Sequence, residues 1–460
     1  MKKTDIKIFL GAIILFLFSS CEKWIDTDLN NDPNNPEKTY YNVVLPTIEA
    51  SIAYQYGGDL SRPAAIWMQQ LSGVGNQPIA FDVYNFTQSD VDNVWKWGMY
   101  AGPMMDLKRM IEQAESDKSY HYLGVAQVLM AFSVAIMTDL FGDIPFSDAW
   151  IENNLTPKYD KQEAIYDSLF KMIDAAIVNL GKSQSLFSPS DDDIIYAGDL
   201  DKWTRAAYTL KARLALHLAK VRSDAYLTAL NAIDKGLISN DDNMQVPFGT
   251  KQNEGNPAYQ FFMYDRPYDI VMGAFFVDTL RSDPRFNLYV DTTGASEDES
   301  VGYGSNPGQA DGFAYPGQTF LLPNSPVVFM SYAESKFIEA EAALPNDPAR
   351  AAAAYNDAVT AAFEMYGMQA PNSMISETST SISLAKIIMQ KYIVLFMNPE
   401  AYTDYRRTGY PQLTPPSNAL TVDKKMPRRW PYPTSERIYN SKNFEPYKNL
   451  TISSRVWWDK

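Results

Sequence analysis

The sequence is poor in cysteine, in histidine and in positive charge. Its 460 residues include one cysteine and two histidines. A single cysteine cannot form an internal disulfide, and a zinc site built from several cysteines is excluded. Forty lysines and arginines stand against 55 aspartates and glutamates, for a net charge of −15. Because a surface this acidic repels phosphate backbones, we do not expect the protein to bind nucleic acid.

Long hydrophobic runs are also lacking. Ile8–Phe18 is an apolar run that follows a lysine-rich start. It is too short to span a bilayer, which needs about 20 apolar residues, but it has the length of a signal-peptide core. Two small residues, Ser19 and Ser20, follow it and precede Cys21. The pattern predicts a signal peptide over residues 1–20, and no later stretch is expected to cross a membrane.

The only cysteine therefore lies directly after a signal core and two small residues. This arrangement resembles a bacterial lipoprotein box, in which the thiol is acylated and the chain is cut just before it. Phe18 departs from the usual leucine of that box, and an ordinary cleavage site beside a cysteine is the alternative. After Ile25 the segment to Lys38 is polar and rich in Asn, Asp and Pro, so residues 21–38 are predicted to be an acylated Cys21 and a flexible tether. The body is then a single domain over residues 39–460, held at a membrane by lipid.

Helical periodicity dominates the body. Hydrophobic residues make up 46% of the chain and charged residues 21%, enough to bury a large core. Trp203, Ala206, Ala207, Leu210 and Leu214 recur at the spacing of one buried helical stripe. Asp160 with Glu163 predicts a helix start, running to about Asn179. Further helices are predicted over Tyr40–Tyr56, Val91–Glu115, Tyr120–Leu140, Asp224–Leu237, Val327–Leu344, Pro348–Tyr366 and Ser381–Met397.

These helices come in adjacent pairs and carry alanine at packing positions, which indicates stacked helical hairpins. A strict 34-residue repeat is not visible, so any tetratricopeptide character is degenerate. Two stretches, Val246–Pro326 and Gly409–Lys460, are rich in Gly, Asn, Pro or aromatics and are predicted to be long irregular excursions. The predicted fold class is mostly α.

No catalytic motif stands out. HExxH and GxSxG are absent, and His121 and His217 lack a metal-ligand pattern, so both are predicted to be structural. The acidic cluster of Asp191–Asp193, Asp199 and Asp201 offers calcium ligands without the spacing of an EF-hand. A solvated loop with a helix cap at Asp201 is the favoured interpretation. No cofactor or metal is expected.

Aromatic residues are the better candidates for a ligand surface. Trp95 and Trp97 either stack on sugar rings or pack the helix that follows. Aromatics in irregular segments have a stronger claim, and these are Tyr84, Tyr303, Phe313 and Tyr315. The basic pairs Arg406–Arg407 and Arg428–Arg429 are predicted to pair internally with carboxylates or loop carbonyls.

Several sequence motifs follow one another along the chain. They are SSC at Cys21, YGGDLSRPAAIWMQQLSGVGNQ at Tyr56–Gln77, DLFGDIPFSDAW at Asp139–Trp150, the spaced motif from Pro157 to Phe170, GDLDKWTRAAYTLKARLALHLAK at Gly198–Lys220, SPVVFMSYAESKFIEAEA at Ser325–Ala342, PEAYTDYRRTGYP at Pro399–Pro411 and MPRRWPYP at Met426–Pro433. Taken together, they resemble the SusD/RagB family of Bacteroidetes outer-membrane lipoproteins, especially its SusD-like branch.

The resemblance implies a helical body of four degenerate tetratricopeptide-like hairpins, with loops and small β-hairpins carrying the ligand surface. It implies an acylated protein that faces outward from the outer membrane. It also implies a partner, a SusC-like TonB-dependent β-barrel transporter, for which the protein captures glycans without cleaving them. Related proteins tend to place ligand contacts before and at Trp97, which adds Asn93, Trp95 and Trp97 to the candidates.

Three alternatives stay open. A RagB-like branch of the same family captures peptides instead of glycans. An exported glycoside hydrolase on a helical scaffold would need a carboxylate pair, which a sequence cannot show. A purely structural helical-repeat scaffold would have little use for the aromatic-rich stretch Val246–Pro326.

Overall fold

The computed structural model describes residues 40–295, 300–305, 308 and 312–460. The predicted signal peptide over residues 1–20, the acylated Cys21 and the tether to residue 38 lie outside the described residues. Tyr41–Lys460 form one compact unit.

The N-terminal half of this unit is mostly helical. Its helices are α1 (Tyr41–Gly57), α2 (Ser61–Trp67), α3 (Asn76–Asp82), α4 (Pro103–Asp117), α5 (Tyr120–Phe141), α6 (Gln162–Leu180), α7 (Leu200–His217) and α8 (Ala225–Ile233). A π-helical segment, Val94–Tyr100, precedes α4.

The C-terminal half mixes long helices with short elements. Its helices are α9 (Pro257–Gln260), α10 (Ala274–Leu280), α11 (Phe286–Tyr289), α12 (Gln318–Leu321), α13 (Tyr332–Ala343), α14 (Pro348–Glu364), α15 (Leu384–Val394), α16 (Glu400–Thr408), α17 (Thr434–Tyr439) and α18 (Ser441–Phe444), and its second π-helical segment is Phe261–Asp265.

Strands form small antiparallel sheets. The strands are β1 (Leu71–Gly73), β2 (Met244–Val246), β3 (Ile270–Met272), β4 (Val290–Asp291), β5 (Tyr315–Pro316) and β6 (Val327–Met330). Within the described parts of the chain they pair two by two, β1 with β3, β2 with β6 and β4 with β5. The irregular stretch predicted from the sequence thus contains short strands and short helices.

The long helices stack as successive hairpins, as predicted. α5 packs on α4 and α6, α7 packs on α8, and α13 packs on α14. Alanines at the last interface, Ala340, Ala354 and Ala358, are buried and allow the two backbones to approach closely. The fold is therefore mostly α and built from degenerate helical hairpins.

The most apolar helix is a core helix. By length and composition alone, the 22 residues of α5 could cross a membrane. The sequence prediction that no stretch after the signal peptide has this length was therefore wrong. However, 89% of its apolar window is buried inside the protein. The helices on either side of it, not lipid, cover its surface.

Two predicted helices begin in the wrong place. The predicted helix over Val327–Leu344 starts as strand β6, because its first residues are β-branched or aromatic and pair with β2. The helix itself begins after Ser331, whose hydroxyl accepts from the Glu334 amide at 3.1 Å. Asp160 does not cap α6. Its carboxylate instead accepts from the Phe146 and Ser147 amides at 3.0 and 2.7 Å.

The predicted helix over Val91–Glu115 is interrupted. A π-helical segment ends at Tyr100, and α4 then begins with Pro103 at its first position, which suits a residue without an amide hydrogen. Glycine is required at position 102, because a Cβ there would collide with the Trp97 carbonyl oxygen. Trp95 and Trp97 both lie before the break and are two residues apart on the π-helical segment, so they do not share a helix face.

Candidate functional site

Trp95 and Trp97 have different environments. Trp95 is 4% exposed and packs edge-on against Phe141, with ring centroids 4.9 Å apart. Trp97 is 73% exposed. Only the Trp97 indole therefore has a free face for a ligand. The sequence alone did not distinguish ligand contact from core packing for either tryptophan.

An open groove lies beside Trp97. We call it the Trp97 groove; its volume is about 690 Å³, and its lining comes from α1, the π-helical segment, the start of α4 and two loop residues. α1 supplies one wall, and Tyr54 on that wall is 48% exposed. The lining residues are Pro46, Thr47, Ala50, Ser51, Tyr54, Gln55, Trp97, Gly98, Gly102, Pro103 and Ile194.

Two close approaches fix Trp97 against this wall. A Cβ at Gly98 would lie 2.6 Å from Gln55 Oε1, so glycine allows the π-helical turn to pack directly on the Gln55 side chain. A Cβ at Gly102 would lie 2.4 Å from the Trp97 carbonyl oxygen, so this position also has room only for glycine. The exposed indole is thus carried by a backbone that has little room to move. π-Helical turns in proteins occur frequently at functional sites.

Ile194, which also lines the groove, lies beside a pair of buried acids. Glu49 on α1 is fully buried, and its Oε2 accepts from the Ile194 amide at 2.9 Å. Burial, and then the neighbouring Asp193, raises the pKa of Glu49 well above its ordinary value. Both effects favour the protonated form of Glu49.

Asp193 is the second acid of the pair. Its two oxygens accept from the amides of Ile195, Tyr196 and Gly198 and from the Trp203 indole, at 2.6–3.0 Å. These four donors fix the carboxylate inside the loop. The prediction of a solvated acidic loop is wrong for Asp193, which is 1% exposed, and Asp199, not Asp201, caps α7.

A second depression is lined mainly by α2, α3 and the two π-helical segments. We call it the Arg62 pocket; its volume is about 340 Å³. Its lining combines aromatic and apolar side chains with charged and amide side chains. The lining residues are Asp59, Arg62, Pro63, Gln77, Pro78, Phe81, Phe86, Ser89, Asp90, Asn93, Val94, Phe261, Asp265, Arg266, Ile270 and Trp430.

Arg62 is fixed in this pocket from two sides. Its guanidinium lies over the Phe261 ring, 4.2 Å from the centroid, and it forms an ion pair with Asp59. Burial lowers its pKa, against the effect of Asp59. Asn93, a predicted ligand contact, lines the same pocket.

Tyr84 and Tyr303 pack inside the protein. Tyr84 is 2% exposed and its hydroxyl donates to Met426 Sδ at 2.5 Å. The Tyr303 ring lies against it, with centroids 5.8 Å apart. Tyr84, like Trp95, therefore has no exposed face that a ligand could contact.

Phe313 and Tyr315 pack against a small cluster of valines. The Tyr315 hydroxyl accepts from the Tyr268 amide at 2.9 Å and donates to the Phe262 carbonyl at 3.1 Å. Neither residue lines the groove or the pocket. Tyr315 supports Tyr268, which is about half exposed.

The sequence predictions missed several exposed or pocket-lining residues. Tyr54 and Arg62 lie near the helix boundary between α1 and α2, and Met263, Tyr264 and Tyr268 are each about half exposed. Tyr54 could have been found from the sequence, because it does not belong to the buried stripe of α1. Arg62 could not, because its partner Phe261 is distant in sequence.

Away from these depressions, the histidines and arginines hold the fold together. His217 is buried, and its Nε2 and Nδ1 face Glu400 and Asp139 at 2.8 and 3.2 Å. Burial lowers its pKa, but the two carboxylates outweigh burial and raise it to about 9. His217 is therefore a buried cation at neutral pH, a structural role as predicted.

Both predicted arginine pairs bond internally. Arg407 Nη2 lies 2.6 Å from both Glu341 and Asp404, and Arg428 Nε donates to Asp459 at 2.7 Å. Arg406 donates to the Asp139 carbonyl. Within residues 40–295, 300–305, 308 and 312–460, no group of three or more His, Cys, Asp or Glu side chains is placed to hold a metal ion.

The architecture defines a helical-hairpin protein with an exposed aromatic groove. A model of the SusD-like family, described as starch-binding and associating with the outer membrane, matches residues 33–433. The chain belongs to this family. A search of curated proteins finds no match.

Solved structures have the same fold. A chitin-binding protein is 26% identical with a TM-score of 0.78, covering 92% of this chain and 100% of its own. A SusD/RagB family protein from Bacteroides thetaiotaomicron is 26% identical with a TM-score of 0.74, covering 92% and 99%. A chitin-binding SusD homolog from Flavobacterium johnsoniae, 24% identical with a TM-score of 0.77, covers 91% and 97% and supports the fold alone.

Proposed function

We propose that the protein captures oligosaccharides at the outer membrane, and that the Trp97 groove is where it holds them. The observation that carries this proposal is the exposed Trp97 indole, fixed on a rigid turn beside Tyr54. Flat, apolar ring faces stack on the C–H faces of sugars, and a fixed ring loses little entropy on binding. The chitin-binding protein that shares this fold supports a glycan ligand.

Polar groups near the indole supply hydrogen bonds. Thr47, Ser51 and Gln55 line the groove and offer both donors and acceptors to sugar hydroxyls. The groove is open, so its ligand stays partly solvated and is released readily. Such release suits a protein that passes its ligand onward.

The proposal also includes the location of the protein and its partner. Acylation at Cys21 anchors the protein to the outer membrane, facing outward. A SusC-like TonB-dependent β-barrel transporter receives the ligand. The protein binds and does not cleave, so retained oligosaccharides are expected to be recovered at their original length.

The test passes a mixed library of oligosaccharides and peptides over the immobilised protein and identifies what is retained. Tyr439→Ala is a matched control for Trp97→Ala, because Tyr439 is 74% exposed and lines neither depression. We expect intact oligosaccharides to be retained by the parent and by Tyr439→Ala, but not by Trp97→Ala. Retention of peptides alone would favour the RagB-like alternative, and shortened glycans would indicate an enzyme.

A further inference from the structure

A third cavity shares no lining residue with the Trp97 groove or the Arg62 pocket. We call it the Phe320 cavity, and its volume is about 130 Å³. Its walls come from the end of α1, from α9, α12 and β6, from the start of α13 and from the chain at the ends of α14 and α15. The lining residues are Tyr56, Gly57, Asn256, Ala258, Thr319, Phe320, Ser325, Pro326, Val327, Val328, Ser331, Glu334, Met365, Tyr366, Val394, Leu395, Phe396, Met397 and Asn398.

Aromatic rings in this lining pack against one another. The Phe320 ring meets the Phe396 ring edge-on, with centroids 5.0 Å apart, and the Tyr366 ring lies 6.1 Å from Phe320. Val327 and Met397 add aliphatic surface. Because each ring is held by its neighbours, the apolar walls of the cavity are in place before a ligand arrives.

The buried polar side chains between α9 and β6 are already bonded. Asn256 Nδ2 donates to the Ser325 carbonyl at 2.8 Å, and Asn256 Oδ1 accepts from the Ala258 amide at 2.7 Å. Ser325 Oγ donates to the Thr319 carbonyl at 2.6 Å. On this side of the cavity, a polar ligand would have to compete with bonds within the protein.

The buried polar side chains on α1 and α13 are bonded as well. The Tyr56 hydroxyl donates to Asn398 Oδ1 at 2.6 Å, and the Glu334 carboxylate accepts from Arg213 Nε and Nη2 at 2.8 and 2.6 Å. In the part of the chain that the structure describes, no buried side-chain nitrogen or oxygen of this lining lacks a partner. A charged or hydroxyl-rich ligand would lose its water here without gaining new bonds, which is costly.

The size of the cavity suits one ring. Its volume of about 130 Å³ is close to that of an engineered apolar cavity of about 150 Å³ that binds benzene. Pro326 is exposed, and Met365 and Tyr366 are half-buried, so this side of the lining borders solvent. A small molecule can therefore enter beside these three side chains.

We propose that the Phe320 cavity is a second binding site, and that its ligand is a small uncharged apolar molecule the size of a benzene ring. Burial of apolar surface supplies the affinity, and the paired polar side chains exclude ligands with charges or several hydroxyls. The site is independent of the proposed function, because the Trp97 groove is lined by other residues.

The test is a titration of the full chain with benzene, with benzoate and glucose as comparison ligands. Benzene is expected to bind saturably, at one molecule per chain in equilibrium dialysis. It is also expected to raise the melting temperature by about 1–2 °C at ten times its dissociation constant. Benzoate has the same ring with a charge, and glucose has a ring with several hydroxyls. Neither is expected to raise the melting temperature.

Ala258→Leu fills the cavity from α9. It is expected to lower the affinity for benzene about tenfold or more and to melt close to the parent, because the added carbons occupy free space. Ala164→Leu, the same substitution at an exposed position on α6, is the matched control and is expected to bind benzene like the parent. Trp97→Ala is expected to do the same, which separates this cavity from the groove.

Met365→Trp is the second variant, because a larger ring at this half-buried position narrows the entrance without entering the core. It is expected to weaken benzene binding and to melt like the parent. The inference is overturned if benzene does not bind saturably, if benzoate or glucose binds as tightly, or if neither variant weakens benzene binding. Loss of benzene binding in Trp97→Ala would place the site in the groove instead. If Ala258→Leu and Met365→Trp both melt several degrees below the parent, the cavity lacks the space that the proposal requires.

Discussion

Trp95 and Trp97 lie two residues apart on one π-helical segment and face opposite ways, the first 4% and the second 73% exposed. Trp95 contributes to the core with Phe141 and Tyr100. Trp97 contributes nothing to that core and faces an open groove. A large apolar side chain held in water at a groove is more informative about function than a buried one.

The two tryptophans should therefore separate binding from stability. Trp97→Ala is expected to abolish detectable oligosaccharide binding with a melting temperature close to that of the parent. Trp95→Ala is expected to cost about 3–5 kcal/mol of unfolding free energy, as for other buried aromatics truncated to alanine. Titration calorimetry and thermal melts of both variants check this. A Trp97→Ala protein that binds like the parent would contradict it.

Gly102→Ala should disturb the site through the backbone. A Cβ at position 102 collides with the Trp97 carbonyl oxygen, so the turn that carries the indole has to shift. We expect oligosaccharide affinity to fall at least several-fold. Gly181→Ala is the control, because a Cβ there meets its nearest neighbour at an ordinary 3.4 Å. If both variants bind equally well, the geometry of the turn does not matter for binding.

Glu49→Gln tests the buried acid pair beside the groove. Burial and Asp193 raise the pKa of Glu49, so the native state binds its proton more tightly than the unfolded chain. The stability that this proton confers is full below the ordinary glutamate pKa of about 4.3 and is lost as the pH rises through the native pKa.

A glutamine amide is neutral at every pH, and its oxygen can still accept from the Ile194 amide. Glu49→Gln is therefore expected to match the parent in acid and to exceed it in unfolding free energy at high pH. Denaturant titrations across the pH range measure the difference. A difference independent of pH would show that Glu49 is already ionised.

His217→Gln tests the buried cation. The pKa of His217 is raised to about 9, so the stability conferred by its positive charge is full below about 6.5 and lost as the pH rises through 9. Removing the cation leaves Asp139 and Glu400 buried without their partner, which costs about 3 kcal/mol at pH 6. The cost should shrink towards pH 10, as unfolding measurements at both pH values will show. An equal cost at both would contradict the assignment.

Much of the fold was predictable because it depends on local periodicity. The stripe from Trp203 to Leu214 is buried as expected, and the helices over Tyr120–Leu140 and Pro348–Tyr366 were placed within a few residues. The error at Val327 arose because its partner strand β2 is distant in sequence, and periodicity does not report pairing.

The candidate site was predictable only in part. Trp97 was predicted as a candidate from the aromatic residues and from the family resemblance, and Asn93 was predicted from the resemblance alone. Whether Trp95 or Trp97 faces solvent depends on the π-helical turn, which changes the phase of the helix in a way that a 3.6-residue period does not predict. The Arg62 pocket forms from α2, the π-helical segment Phe261–Asp265 and Trp430, which only the folded chain brings together.

The most direct test of the central claim is hydroxyl-radical footprinting of the full chain with and without a retained oligosaccharide. Mass spectrometry reports the oxidation of individual side chains. We expect Trp97 and Tyr54 to be protected from oxidation on binding. Tyr439, which is as exposed as Trp97 in the free protein, is expected to be oxidised as before. Protection of other aromatics, with Trp97 oxidised as before, would contradict the assignment of the groove.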